Sequence, residues 1–182
     1  MPKALVLVAV FFATVAQAQS PDDVARWTVE AYGGDAVAQS WLGAAYESGR
    51  GTVQDFGKAQ EWLERAAQQG DADAMFLLGQ MHEDGEGVPE DYVQAANWYR
   101  KACEQRPDYG GAGNGCNSLG LLYLNGLGVK KNALEAYKYF LVSRSPVNLK
   151  WAKIRLTKDE IAQAEHEAQR WFELHPDPAK TP

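Results

Sequence analysis

The sequence predicts an all-α protein that folds as a solenoid, a stack of helical hairpins. The chain repeats itself at an interval of 36 residues, and each copy contains a Gly-x-Gly turn near its middle. On both sides of that turn, apolar residues recur three and four positions apart, which is the spacing of one helix face. A period of this length combined with helical spacing is typical of helical arrays.

Composition limits the classes of partner. The 182 residues are 46% hydrophobic, which is enough to build a core. There are 18 Lys and Arg residues against 24 Asp and Glu residues, giving a net charge of -6. Phosphate binding requires a basic stripe, and this sequence shows none. We therefore expect no nucleic acid as a partner.

The N-terminal residues 1–18 have the pattern of a secretory signal peptide. Lys3 precedes an apolar stretch over residues 4–16, and Ala16-Gln17-Ala18 forms a small-x-small cleavage site. The apolar stretch is too short to span about 30 Å of hydrocarbon as a helix. We expect a periplasmic or secreted protein that begins at Gln19 and is not inserted in a membrane after cleavage; the alternative is an uncleaved anchor.

The predicted N-terminal capping helix occupies residues 19–33. Ser20 supplies a capping hydroxyl, Pro21 suits the first helical position, and Asp22 and Asp23 place negative charge in the first turn. We expect this helix to end at Tyr32 and to cover the first repeat.

Three copies of the repeat follow. Residues 34–69 and 70–105 are identical at 14 of 36 positions, and the third copy spans residues 106–146. The third copy contains five extra residues between Arg106 and Ala112. We expect the extra residues to form a turn and the first helix of this copy to begin at Cys116.

Each copy contains two predicted helices. The second helix begins after a residue that is a good N-cap, Asp55, Asp91 or Asn132. The first helix contains a glycine in its middle, which costs about 1 kcal/mol relative to alanine. Its recurrence predicts a neighbouring helix that lies too close for a side chain. These glycines are Gly43, Gly79 and Gly120.

Two capping helices are predicted over residues 147–175. The first is short and includes Trp151, and the second opens with Thr157 and Glu160, which form a capping box. Capping helices provide the polar ends that a three-copy stack requires. We expect residues 176–182 to be a flexible tail.

The repeat resembles a known family. The shared pattern is Leu-Gly-x-x-Tyr, followed by Gly-x-Gly, then Asp, and then Ala-x-x-Trp with an alanine four residues after the tryptophan. It is similar to the Sel-one-like repeat, a relative of the tetratricopeptide repeat. The second copy fits best from Leu78 to Ala102 and departs at His82, where the other copies have tyrosine. The resemblance covers residues 34–146 and implies an α/α solenoid of three Sel-one-like repeats with capping helices at both ends.

Cys103 and Cys116 are the only two cysteines, and they flank the insertion. Their placement is similar to that in the secreted cysteine-rich branch of the family, where a disulfide joins one hairpin to the next. The alternative is two buried free thiols.

The resemblance also implies a function. In tetratricopeptide geometry the first helices line a concave groove, which suits an extended peptide or a protein loop of basic character. We expect a non-catalytic module that binds another envelope or secreted protein or peptide. For Leu121 and Leu124, the alternative to lining the groove is packing on the next helix. The groove residues would be Glu47, Phe76, Gln80, Glu83, Asp84, Asn117, Leu121 and Leu124, with Ser40, Ala44, Ser48 and Asn125 at equivalent positions.

The resemblance implies other functions as well. The cysteine-rich branch implies a weak beta-lactamase or a protein that binds penicillin or cell-wall peptides. Serine enzymes of that type carry a Ser-x-x-Lys motif, and no serine in this sequence is followed by a lysine three residues later. Similar exported repeat proteins suggest a periplasmic regulator of a sensor kinase. The segment from His82 to Glu86 could hold a cation or be a solvated helix end. We expect no catalytic residue, no metal and no cofactor.

Overall fold

The computed structural model describes residues 20–105 and 110–175, and in these ranges the chain forms nine α-helices and no strand. The all-α fold is therefore confirmed. The predicted signal peptide, the start of the insertion and the predicted tail lie outside the described residues. The helices are α1 (Pro21–Tyr32), α2 (Ala36–Ser48), α3 (Phe56–Gln68), α4 (Ala72–Asp84), α5 (Tyr92–Cys103), α6 (Gly110–Asn125), α7 (Ala133–Val142), α8 (Pro146–Lys153) and α9 (Lys158–Leu174).

The described chain divides into two compact units, with the boundary between Gln69 and Gly70. In the first unit, α2 packs against both α1 and α3. Its core includes Trp27, Leu42 and Trp62. The buried Gln39 side chain donates to the Ala31 carbonyl at 3.0 Å and accepts from Gln69 at 2.7 Å, so one polar side chain links all three helical segments of this unit.

The predicted N-caps are confirmed. Carboxylate or amide oxygens of Asp55, Asp91 and Asn132 accept hydrogen bonds from backbone N–H groups in the first turns of α3, α5 and α7. At the start of α1, Ser20 and Asp23 form a reciprocal capping box, and this helix ends at Tyr32 as expected. These bonds satisfy donors that have no partner inside the helix.

The Gly-x-Gly turn has the same conformation in each copy. Both glycines of each pair have φ between 63° and 78°, the left-handed region that favours glycine. The turn is closed each time by a backbone hydrogen bond from the N-cap residue to the first helix, with N···O distances of 2.8–2.9 Å. The three bonds join Asp55 to Tyr46, Asp91 to His82 and Asn132 to Tyr123. The second helix therefore starts at a fixed place relative to the end of the first.

The glycines in the middle of the first helices lie directly against the second helices. A Cβ atom at Gly43 would be 2.6 Å from Cγ of Leu63, and one at Gly120 would be 2.5 Å from the Phe140 ring. At Gly79 the added atom would overlap the Tyr99 ring. The predicted close approach is thus present in all three hairpins, and each glycine accommodates one large side chain.

The second unit contains the other two repeats and the C-terminal helices. Helix α4 packs against α5 and α6, α6 packs against α5 and α7, and α7 packs against α8 and α9. The Cys103–Cys116 disulfide is present, joining the end of α5 to α6 with a Cα–Cα distance of 4.7 Å. Both cysteines are buried. A loop of this size contributes about 3 kcal/mol in the chain-entropy model.

The start of α6 differs from the expectation. This helix begins at Gly110, so the expected start at Cys116 is wrong and the end of the insertion is helical. The glycines in this segment permit close packing rather than a turn. A Cβ atom at Gly111 would overlap the backbone of Ala72 and Asp73, and one at Gly115 would lie 2.7 Å from Cβ of Ala102.

Asp73 of α4 binds the first turn of α6. Its carboxylate accepts a hydrogen bond from the backbone N–H of Gly111. Burial raises the pKa of Asp73, the bond from Gly111 lowers it, and the charge of Asp71 raises it further. The start of α6 therefore depends on a side chain of the preceding repeat.

The C-terminal helices agree with the expectation in their main features. Helix α8 begins at Pro146, and α9 begins with the predicted capping box of Thr157 and Glu160. Lys138 of α7 forms ion pairs with Glu135 at 2.8 Å and with Glu167 of α9 at 3.3 Å. In the described part of the chain, each helix falls short of the length and hydrophobicity required to cross a membrane.

We predict that Gly79→Ala lowers the free energy of unfolding by about 1–3 kcal/mol, the usual cost of overpacking, because the Tyr99 ring is fully buried and cannot move away. Denaturant unfolding measures this change. Gly57→Ala is the matched control, since this helical glycine has only one neighbouring atom, at 3.4 Å. The control should be neutral or slightly stabilising. Equal stability of the Gly79 variant and the wild type would contradict the close-packing argument.

Candidate functional site

The predicted binding residues of repeats 2 and 3 lie on two neighbouring helices of the second unit, α4 and α6. We call the solvent-facing side of these two helices the first-helix face. Glu47 belongs to the first unit. It is partly buried near the end of α2, and its backbone carbonyl accepts a hydrogen bond from the Gln54 side chain at 2.8 Å.

On α4, the predicted residues have different environments. Asp84 is exposed and Gln80 is partly buried, and their spacing of four places them on one side of the helix. Phe76 packs against Tyr99, with ring centroids 5.7 Å apart. Glu83 accepts a hydrogen bond from the Tyr99 hydroxyl at 2.6 Å. Gln80 and Asp84 are therefore the residues of this set that offer polar groups to a partner.

The Glu83–Tyr99 pair is a partly buried polar contact at the acidic end of α4. Burial raises the pKa of Glu83, the bond from Tyr99 opposes that rise, and the charge of Asp84 adds to it. Burial also raises the pKa of Tyr99, and the nearby charge of Glu83 raises it further. The hydroxyl therefore stays protonated and acts as the donor.

On α6, the predicted residues take part in packing. The Asn117 side chain accepts a hydrogen bond from the buried Asn148 of α8 at 2.7 Å. Leu121 and Leu124 are partly buried and pack against a cluster that includes Tyr137 and Phe140. The two leucines thus pack on the next helices, which is the alternative to a position in the groove.

Sequence reasoning missed the strongest charge feature of this unit. Residues 66–99 contain no Lys and no Arg, and they contain seven acidic residues. Two of these acidic residues form the N-caps of helices, and one binds the start of α6. The other four surround the end of α4 and the loop after it. The seven are Asp71, Asp73, Glu83, Asp84, Glu86, Glu90 and Asp91. Counting the spacing between basic residues would have revealed this segment.

Carboxylates at the end of α4 lie near a common neighbour. Three of them influence one hydroxyl: the pKa of Tyr92 is raised, first by desolvation and then by the charges of Glu90, Glu83 and Asp84. Glu86 and Glu90 are exposed like Asp84. Negative potential is therefore concentrated at this end of the first-helix face.

On α2, one predicted position is buried and two residues outside the predicted set are exposed. Ser40 is only 3% exposed, whereas Val37 and Trp41 are 47% and 41% exposed. The Trp41 ring lies 5.5 Å from that of Trp27. The spacing of Val37 and Trp41 would have shown that they share a face, but sequence alone does not show which face is turned outward.

The segment from His82 to Glu86 does not form a metal site. Among the described residues, no three His, Cys, Asp or Glu side chains are placed to hold a metal ion. The His82 Nδ1 atom is buried and has no hydrogen-bond partner within the described ranges.

The sequence matches the family model for the Sel1 repeat three times, over residues 36–71, 72–106 and 113–142. These matches cover more than half of the chain. They fall on the three helical hairpins, α2–α3, α4–α5 and α6–α7. No curated protein matches the sequence significantly.

Solved structures with the same fold include a protective antigen of uropathogenic Escherichia coli strains, with 37% identity and a TM-score of 0.61 over 66% of this chain. A Sel1 repeat protein from Oxalobacter formigenes has 30% identity and a TM-score of 0.62 over 74%. The chain covers 25% of the first protein and 53% of the second. Cysteine-rich protein B of Helicobacter pylori has 22% identity and a TM-score of 0.54, with 78% of this chain and 95% of that chain covered.

We predict that Glu83→Gln becomes more stable relative to the wild type as the pH rises above about 4.5, the ordinary pKa of this group. A raised pKa means that the folded state binds the proton more tightly than the unfolded state. Ionisation of Glu83 therefore destabilises the fold as pH rises through this window. Glutamine keeps an acceptor for Tyr99 without the charge. Thermal melts from pH 3.5 to 7.5 measure the effect.

Glu86→Gln is the control for the Glu83 variant, because Glu86 is exposed. Its melting temperature should follow that of the wild type across the range. A Glu83→Gln variant that loses stability relative to the wild type as the pH rises would contradict the assignment of Glu83 as a carboxylate with a raised pKa.

Proposed function

Because the chain belongs to the Sel1 repeat family, we propose that it is a non-catalytic interaction protein whose first-helix face binds a partner of basic character. Sel1 repeat proteins mediate protein–protein interaction and are typically scaffolds rather than enzymes. The proposed binding residues are the predicted groove residues. Glu47 is the equivalent residue of the first repeat.

One observation carries the proposal. Helix α4 ends in a cluster of carboxylates within residues 66–99, a stretch that contains no Lys or Arg, and it lies beside α6. A cluster of exposed charges of one sign favours a partner of opposite charge and increases the rate at which the two proteins meet. Gln80 adds an amide beside these charges, which supplies a donor and an acceptor for a peptide backbone.

We also propose that the protein is exported and acts in the periplasm or outside the cell, where the partner would be another envelope or secreted protein or peptide. The Cys103–Cys116 disulfide supports this location, because structural disulfides persist in oxidising compartments and are rare in the cytosol. The signal-peptide pattern of residues 1–18 supports it independently.

In-cell photo-crosslinking tests the binding face. A photoreactive phenylalanine analogue at Gln80 should crosslink a protein in intact cells. The same group at Asn97, an exposed residue of α5, is the control and should not give this product. Combining the Gln80 probe with Asp84→Asn, Glu86→Gln and Glu90→Gln should reduce the yield severalfold, because the attracting charge is removed. Identical products from both positions would contradict the proposed face.

Mass spectrometry of the protein from the envelope fraction tests export. We predict a mature chain that begins at Gln19 and contains no thiol that can be alkylated before reduction. After reduction, two thiols should react. Recovery of the full chain with two reactive thiols in the cytosolic fraction would contradict the proposed location.

A further inference from the structure

A cavity in the second unit lies between α5, α7 and α9, which are not the helices of the first-helix face. Its volume is about 310 Å³, which is within the range of small-molecule sites. Arg100 and Glu104 line it from the α5 side, Lys138 and Tyr139 from α7, and Trp171 from α9.

The cavity has an apolar lining. Cys103, Val142, Trp171 and Leu174 contribute to it. Cys103 and Val142 belong to a buried cluster that also contains Cys116, and Trp171 packs against that cluster. The disulfide therefore lies directly behind the cavity wall. Such a surface suits the apolar body of a ligand.

Three basic side chains also line the cavity, although the whole chain is acidic. Lys138 is already neutralised by its ion pairs with Glu135 and Glu167. Arg100 donates to neutral oxygens of Asn97 at 3.1 Å and Tyr123 at 3.5 Å. Among the described residues, neither Arg100 nor Arg170 forms an ion pair with a carboxylate. Two guanidinium groups thus remain available to an anion.

The acidic residues of the lining are either paired with Lys138 or exposed to solvent. Glu167 is paired with Lys138 and also accepts a hydrogen bond from Gln163 at 3.0 Å. Glu104 is exposed at the end of α5. With Glu135, three carboxylates and three cations meet here, and among the described residues Lys138 alone of the three cations is ion-paired.

We propose that this cavity binds a carboxylate attached to an apolar group, with Arg170 and Arg100 contacting the carboxylate and Trp171 and Leu174 contacting the apolar group. Guanidinium groups bind carboxylates through planar paired hydrogen bonds, and aromatic walls accommodate an apolar side chain. The C-terminus of a peptide and a free organic acid share this chemistry.

Titration followed by NMR tests the proposal with three probes. N-acetyl-phenylalanine has the carboxylate and a peptide group, and 3-phenylpropionate has the carboxylate alone. N-acetyl-phenylalaninamide has the same apolar group and no charge. We expect saturable shifts of the Trp171 indole resonance with the two acids and much weaker shifts with the amide. Tighter binding of the acetylated acid would identify a peptide terminus as the ligand class, and equal binding would identify a free acid.

Arg170→Gln should weaken binding of the acids about tenfold, the usual effect of losing one charged hydrogen bond. This residue is exposed, so its replacement should not affect folding. Arg155→Gln is the matched control, because Arg155 is exposed and does not line the cavity. Equal binding of the amide, equal weakening by both substitutions, or no saturable binding of either acid would overturn the proposal.

Discussion

The structure depends on the close contact between the two helices of each hairpin. A glycine in the first helix faces one large side chain of the second, Leu63, Tyr99 or Phe140. Because an added methyl group has no space there, the separation of the helices is set by that side chain. The left-handed glycine turn fixes the direction of the second helix. Together these two constraints define the hairpin that is repeated along the chain.

Local signals in the sequence predicted most of the fold. The N-caps Asp55, Asp91 and Asn132 and the capping box at Thr157 lie within three residues of the groups they bind, so their effect can be recognised from spacing alone. The glycines at the hairpin contacts were recognised because they recur in register. These features depend on neighbours in sequence or on repetition, which a single sequence reveals.

Features that depend on distant residues were not predicted. The start of α6 is bound by Asp73, which is 38 positions from Gly111 in sequence, and glycines that indicated a turn instead allow close packing. The hydrogen bond between Tyr99 and Glu83 also joins two helices. Spacing places Glu83 on a helix face, but it does not show that a tyrosine from the next helix lies beneath it.

The second unit has opposite charges on different sides. The end of α4 concentrates carboxylates, while the cavity between α5, α7 and α9 contains guanidinium groups that form no ion pair with a carboxylate of the described residues. The two regions use different helices of the repeats. A basic protein on the acidic side and a small anion in the cavity would therefore not compete for the same groups.

The contact of Asp73 with the start of α6 also limits how the protein can be divided. Repeat proteins are often shortened or recombined at repeat borders, since each repeat contacts only its neighbours. Here the third repeat takes its helix cap from the second, and the disulfide joins the same two repeats. A fragment cut at residue 105 would lose both, so repeats 2 and 3 form one indivisible module.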